Sequence, residues 1–204
     1  MLFRKLTIAT ALLVSFQSFA ADVAEQLKAK LAHLQSFQAR FSQSVVDNDG
    51  ELIQQSEGKL WLKQPDKLLW ELDPPNENIL IADGNTLWHV DPFVEQAVAI
   101  SQHQAVENNP IILLTNPDSE AWQGFNIRVS GNTYYIGAIS TDSNIASLAL
   151  TFNGETLVKL AMQDRQQQTS TLTFTQIEQN KKISDKAFQF TLPEGFDLDD
   201  QRNP

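Results

Sequence analysis

Between Lys59 and Leu72 the chain reads KLWLKQPDKLLWEL, and apolar side chains fall at consecutive positions rather than alternate ones. Leu60, Trp61 and Leu62 come together; after Lys63-Gln64-Pro65-Asp66 the run resumes with Leu68, Leu69, Trp70 and Leu72. A hairpin with one wet face alternates apolar and polar residues, so this pattern predicts apolar contacts on both faces of its sheet. By parity, Leu60, Leu62 and Gln64 share a face with Leu68, Trp70 and Leu72. Ile79 and Ile81 are expected to extend that face, as is Leu87 or Trp88 according to register.

Elsewhere the period alternates between helix and strand. Asp22 suits the N-cap of a helix running to about Gln35, with Leu27, Leu31 and Leu34 on one stripe and Phe37 following. From Gln38 the period becomes two, and Asp47-Asn48-Asp49-Gly50 reads as a hairpin turn; the ligand spacing of a calcium loop is absent. Strands are expected at Leu52–Lys63, Lys67–Leu72, Asn78–Ala82, Thr86–Val90, Phe125–Val129, Tyr134–Ile139, Ile145–Phe152, Leu157–Gln163 and Thr169–Glu178. Phe93 to Asn109 is less regular. Pro110 then opens a short apolar helical turn, Ile111 to Leu114, closed by Asn116-Pro117, and Ser184 to Phe188 suits a last helical turn before the tail.

Ten or eleven short strands with little helix and no helical crossovers imply a mainly β fold, a large and strongly curved antiparallel meander. A nearly closed sheet of about eleven strands is wider than its own side chains can fill. Its interior must be plugged, flooded or lined for a ligand. Leu27 to Phe37 and Ile111 to Leu114 are the apolar helical pieces available as plugs; equally, they could simply complete a core.

The first twenty residues look like a secretory leader: Arg4 and Lys5, an apolar run from Leu6 to Phe16, and Ser18-Phe19-Ala20 before a cut after Ala20. Removing those 20 of the 204 residues leaves a single domain, 21–204, of 184 residues. With Arg4 and Lys5 gone, the net charge of −10 becomes −12. Nucleic acid and anionic membrane surfaces are therefore poor partners. There is no cysteine, so the core must stabilise the domain unaided, and thiol chemistry is excluded.

Signs of catalysis are sparse. His33, His89 and His103 have no metal-like spacing, and no nucleophile elbow, phosphate-binding glycine loop or zinc-protease motif occurs. Glu71 and Asp73 are the carboxylate pair nearest a glycosidase arrangement. The expectation is a non-enzyme with no cofactor and no metal site.

Four segments carry a resemblance to a known family. They are SFQARFSQ (Ser36 to Gln43), GKLWLKQPDKLLW (Gly58 to Trp70), ILIADGNTLWHVDPFVEQA (Ile79 to Ala97) and FQFTLPEGFDLDDQ (Phe188 to Gln201). In order and spacing the chain resembles the outer-membrane lipoprotein carrier family, LolA, over essentially its whole mature length. The resemblance implies an incomplete, unclosed antiparallel β-barrel with a short α-helical lid over a hydrophobic cavity for lipoprotein acyl chains. It implies a monomer in the periplasm, loaded by an inner-membrane ABC transporter complex (LolCDE-like) and emptied by an outer-membrane acceptor lipoprotein (LolB-like). By position, Leu60, Leu62, Leu68, Trp70, Ile79 and Ile81 match barrel lining, and Leu31, Phe37, Ile111 and Leu114 match the lid. The family often has Arg or Lys before the proline of GKLWLKQP, where a cation can hold lid carbonyls. Here that position is Gln64, an expected latch without charge assistance. Competing readings are a lipocalin-like binder of a free lipid, a periplasmic sensor and, more remotely, a lipid-processing enzyme.

Overall fold

The computed structural model describes residues 17–106, 109–141 and 144–202. Helix α1 (Gln17–Ala32) leads into β1 (Ser36–Val46), β2 (Leu52–Lys63), β3 (Lys67–Leu72), β4 (Ile79–Asp83), β5 (Thr86–Asp91) and β6 (Gln96–Ser101). Next come α2 (Gln102–Ala105) and two 3-10 turns, Pro110–Thr115 and Glu120–Gly124. The chain re-enters the sheet through β7 (Phe125–Ser130), β8 (Thr133–Ala138), β9 (Ile145–Asn153), β10 (Thr156–Asp164) and β11 (Thr169–Gln179). A third 3-10 turn, Asp185–Phe188, precedes β12 (Asp197–Asp200).

All twelve strands belong to one sheet in the order β12-β6-β5-β4-β3-β2-β1-β11-β10-β9-β8-β7. The chain thus lays down one meander outward from β1 to β6, crosses to the far edge, and returns from β7 to β11, which pairs with β1. Strands β7 and β12 stand at opposite ends of that order, so the sheet is not closed by strand pairing. The crossing stretch, 102–124, carries α2 and both 3-10 turns from one edge to the other.

Three expectations need correcting. The helix starts at Gln17 and ends at Ala32, so Asp22 lies within it rather than capping it; most of the expected leader, residues 1–16, lies outside the described residues. The irregular stretch after Phe93 contains a strand, β6, and the tail contains another, β12. Strand β12 pairs parallel with β6, Asp197 opposite Gln96 and Asp200 opposite Ala99, so the sheet is antiparallel except at this edge. An acidic four-residue strand has no apolar signature of its own; it forms because β6 offers it an unpaired edge.

The sheet is covered on both faces, which accounts for the doubled apolar pattern. One face packs Leu60, Leu62, Leu68, Ala82, Leu87, Leu148, Leu150, Leu160 and Leu172 into the main core with α1 and the Pro110–Thr115 turn. On the other face Leu69 and Ile81 pack with Ile183 and Phe188, against Trp61, Ile79, Trp88 and Phe190. Cross-strand pairing fixes this division: Leu60 lies opposite Trp70 and Leu62 opposite Leu68, whereas Trp61 lies opposite Leu69. One glycine is required by close packing. A Cβ on Gly58 would lie 2.3 Å from the Glu71 carbonyl oxygen and 2.6 Å from the Phe41 ring. That ring also meets Trp70 edge-on at 5.9 Å.

Candidate functional site

The inner face of the sheet and the elements over it form one continuous apolar interior. Leu31, Phe37, Leu60, Leu62, Leu68, Ile111 and Leu114 are all buried in it, and half-buried Trp70 packs against it. Ile79 and Ile81 do not belong there. Strand β4 is apolar at four successive positions, so its pattern leaves the face open, and pairing decides it: Leu68 opposite Ala82, Trp70 opposite Leu80, Leu69 opposite Ile81. Ala82 and Leu80 therefore join the interior, while Ile79 and Ile81 join the outer cluster. Continuing the register, Ala82 faces Leu87 and Ile81 faces Trp88, so Leu87 is the inward residue.

The expected hollow is filled by the chain itself. Leu27 and Leu31 from α1, Leu34 just after it, and Ile111, Ile112, Leu113 and Leu114 from the 3-10 turn, are each 4 % exposed or less. A helical turn buried on every side must be apolar on every side, and these four consecutive residues are. The lid is thus two-part, one long helix and one 3-10 turn, and it occupies the barrel interior.

Both parts are tied to the same hairpin turn, between β2 and β3. The Gln64 side-chain amide donates to the backbone carbonyls of Leu31 at 2.7 Å and Leu34 at 2.9 Å. The Leu31 carbonyl lies in the last turn of α1 and also accepts from the Leu34 N–H at 2.8 Å; the Leu34 carbonyl lies just past the helix end, where acceptors run short of partners. Gln35 Nε2 donates to the Ala32 carbonyl at 2.7 Å and Asn180 Nδ2 to the His33 carbonyl at 3.0 Å. The helix end is therefore held by three neutral amides. Two residues after Gln64, Asp66 holds the other part: its N–H donates to the Thr115 carbonyl at 3.2 Å and its carboxylate accepts from Asn116 Nδ2 at 2.8 Å. Gln102 is 4 % exposed and locks this corner, donating to the Asp66 carbonyl at 2.8 Å and accepting from the Gly84 N–H at 3.0 Å. Asn180, Asp66 and Gln102 escaped sequence reasoning because their partners lie far along the chain.

Charged groups sit on the rim and outer face. Asp185 meets Lys63 Nζ at 2.6 Å and Lys67 Nζ at 3.0 Å, clasping the segment after β11 onto the outer face. Hydrogen bonds from Lys63 and then Lys67 hold its carboxyl below the ordinary value. Arg40 grips Asp73 through both guanidinium nitrogens, and that hydrogen bonding lowers the Asp73 carboxyl. Burial pushes the Asp83 carboxyl up, but N–H groups of Thr86, Asn85 and Trp88 together with Arg202 bring it below the ordinary value. Glu71 pairs with Lys59 at 2.8 Å. The carboxylates that resembled an acid–base pair each sit in an ion pair with a basic residue. No helix among the described residues is long and apolar enough to cross a membrane.

The chain is thus an unclosed β-barrel whose apolar interior is occupied by a helix and a 3-10 turn, both hydrogen-bonded to one hairpin turn. Residues 32–191 match the family model described as outer membrane lipoprotein carrier protein LolA. The chain is 37 % identical over 202 residues to the outer-membrane lipoprotein carrier protein of Serratia proteamaculans (strain 568), covering 98 % of this chain and 99 % of that one. It is 34 % identical over 200 residues to the same-named protein of Aeromonas salmonicida (strain A449), covering 98 % and 99 %. Among solved structures, an uncharacterized conserved protein from Thermus thermophilus aligns with TM-score 0.54 at 10 % identity, over 90 % of this chain and 99 % of that one, a likeness of fold. The chain belongs to the LolA family of outer-membrane lipoprotein carrier proteins.

Proposed function

We propose that the chain, after loss of a leader ending at Ala20, is a soluble periplasmic carrier for the acyl chains of lipoproteins. It accepts them from a LolCDE-like transporter complex of the inner membrane and yields them to a LolB-like acceptor on the outer membrane. The observation that carries this reading is the lid: seven buried apolar side chains occupying the barrel interior, held at the β2–β3 turn by a few hydrogen bonds. A core built only for stability has no need of a removable plug. Acyl chains entering the barrel replace the lid side chains against Leu60, Leu62, Leu68, Trp70, Leu80 and Leu87.

Magnitudes favour exchange over retention. Each buried lid side chain is worth roughly 1.5–3 kcal/mol, so seven together contribute on the order of 10–20 kcal/mol, an upper figure. A buried methylene is worth about 0.8 kcal/mol, so one chain of about sixteen carbons contributes roughly 12 kcal/mol. Loading trades one apolar contact set for another of similar size, which leaves the net affinity modest. A carrier that must release its cargo needs that near-balance.

The test incubates the mature protein with inner-membrane vesicles holding a lipoprotein and the energised transporter. The expected result is a soluble one-to-one complex of carrier and lipoprotein. No release, with the transporter turning over ATP, overturns the reading; tight co-purification of a free lipid without lipoprotein release supports a lipocalin-like binder instead.

A further inference from the structure

Where the crossing stretch meets the β7 edge, a cavity of about 500 Å³ lies between α2, the Glu120–Gly124 turn and strands β7 and β8. Val106, Ala121, Phe125 and Ala138 supply apolar wall, and His103 and Glu120 are among its polar groups. Val106, Ala121 and Phe125 also pack against the main core, so the cavity wall is continuous with the barrel interior. The next residue, Trp122, is 4 % exposed, and its Nε1 donates to the Asn116 carbonyl at 3.0 Å, at the end of the turn that plugs the barrel. The cavity thus adjoins a segment hydrogen-bonded to the end of the lid turn and lies at the strand where the barrel is unclosed.

We infer that this cavity is the entry port for the first acyl chain, a site distinct from the filled interior. The inference rests on the carrier reading. With the lid side chains so fully buried, no methylene reaches the interior until the lid moves. The chain must therefore gain its first contacts elsewhere. A cavity within the roughly 300–1,000 Å³ range of ligand pockets can seat a run of methylenes, each worth about 0.8 kcal/mol, before anything is displaced. Exposed His103 and Glu120 stand where the polar ester or amide head of the lipid would remain. A chain advancing past Ala121 and Phe125 meets Trp122 and pushes on the segment joined to Pro110–Thr115, so filling the port loosens the plug.

The four tryptophans make the order of events measurable. Dibrominated stearate quenches a tryptophan on contact. Two variants are prepared, each keeping a single tryptophan, Trp122 beside the port or Trp70 in the barrel, with the other three replaced by Phe. In stopped-flow mixing, Trp122 is expected to be quenched in a fast phase and Trp70 in a slower one. A third variant, Ala121→Phe, fills the port in the otherwise native chain. It is expected to slow uptake of the brominated chain, and lipoprotein loading from vesicles, by about tenfold with an unchanged melting temperature. Quenching of Trp70 before or together with Trp122, or undiminished loading by Ala121→Phe, overturns the port and leaves the carrier reading standing. Quenching of neither tryptophan, with no loading by the native protein, overturns the carrier reading itself. Should the single-tryptophan chains not fold, the Ala121→Phe loading rate decides alone.

Discussion

At the scale of single residues, Gln64 ties the β2–β3 turn to the end of α1, and the proposed latch can be tested there. Its amide makes two neutral hydrogen bonds to the end of α1, and neutral bonds are about half as strong as charge-assisted ones. Gln64→Arg places a cation at the negative end of the helix dipole and is expected to add about 1 kcal/mol to closure. Amide exchange across the last turn of α1 should slow by several-fold and lipoprotein loading should slow with it. Gln64→Leu leaves the Leu34 carbonyl unsatisfied and takes one of two donors from the Leu31 carbonyl, at a cost of about 1–3 kcal/mol, and the same amides should exchange faster. Unchanged exchange in both variants would remove Gln64 from any latch role. The turn Ile111 to Leu114 should respond less, because Asp66 and Gln102, not Gln64, hold that part. Gly58 is a separate case: Gly58→Ala forces its Cβ against the Glu71 carbonyl and the Phe41 ring, and is expected to destabilise the fold by about 1–3 kcal/mol in a denaturant titration.

At the scale of elements, what the sequence displayed clearly was where strands begin and end. Turn residues such as Asn153-Gly154 and Ser130-Gly131-Asn132 punctuate runs of period two, and the hairpins fall where they are. The parity of β2 and β3 also placed Leu60, Leu62, Leu68 and Trp70 on one face, as their pairing requires. Parity failed at β4, where Ile79-Leu80-Ile81-Ala82 has no polar residue to mark a side, and the inward residues proved to be Leu80 and Ala82. It was silent at β6, where register puts Ile100 on the inner face opposite Leu87 and Ala99 on the outer face opposite Trp88, and at β12, which is mostly aspartate. The faces of β4 can be separated by experiment. A photo-crosslinking residue at Leu80 is expected to capture lipoprotein acyl chains in loaded protein, and one at Ile81 to capture the segment Ile183–Phe188 whether or not cargo is present. Capture of acyl chains from Ile81 would mean that the two faces exchange roles on loading.

At the scale of the whole molecule, the topology separates the sheet from what covers it. The two meanders join through β1 and β11, while α1 and the two 3-10 turns of the crossing stretch take part in no strand pair. The two coverings of the sheet also differ in chemistry. The inner one is fastened at α1 by the amides of Gln64, Gln35 and Asn180, which do not titrate, and on its exposed side by the Lys30–Glu155 ion pair. The outer one is fastened in part by Asp185 between Lys63 and Lys67 and by Asp83, which accepts from Trp88 Nε1 at 3.0 Å. Both carboxyls are held below their ordinary value, so their stabilising contribution is complete above about pH 4 and disappears as the pH falls through the lowered values. Trp88, packed at a tilt against Phe190 with ring centroids 5.0 Å apart, reports the outer covering, and Trp122 reports the lid. On acidification from neutral pH, the emission of a chain keeping only Trp88 is expected to stay constant to about pH 4 and then change. The emission of a chain keeping only Trp122 should remain constant after Trp88 has begun to respond, because Trp122 Nε1 donates to a backbone carbonyl, which does not titrate. A single shared transition at both tryptophans would show instead that the two coverings open as one unit, and that the lid cannot move while the outer strap stays in place.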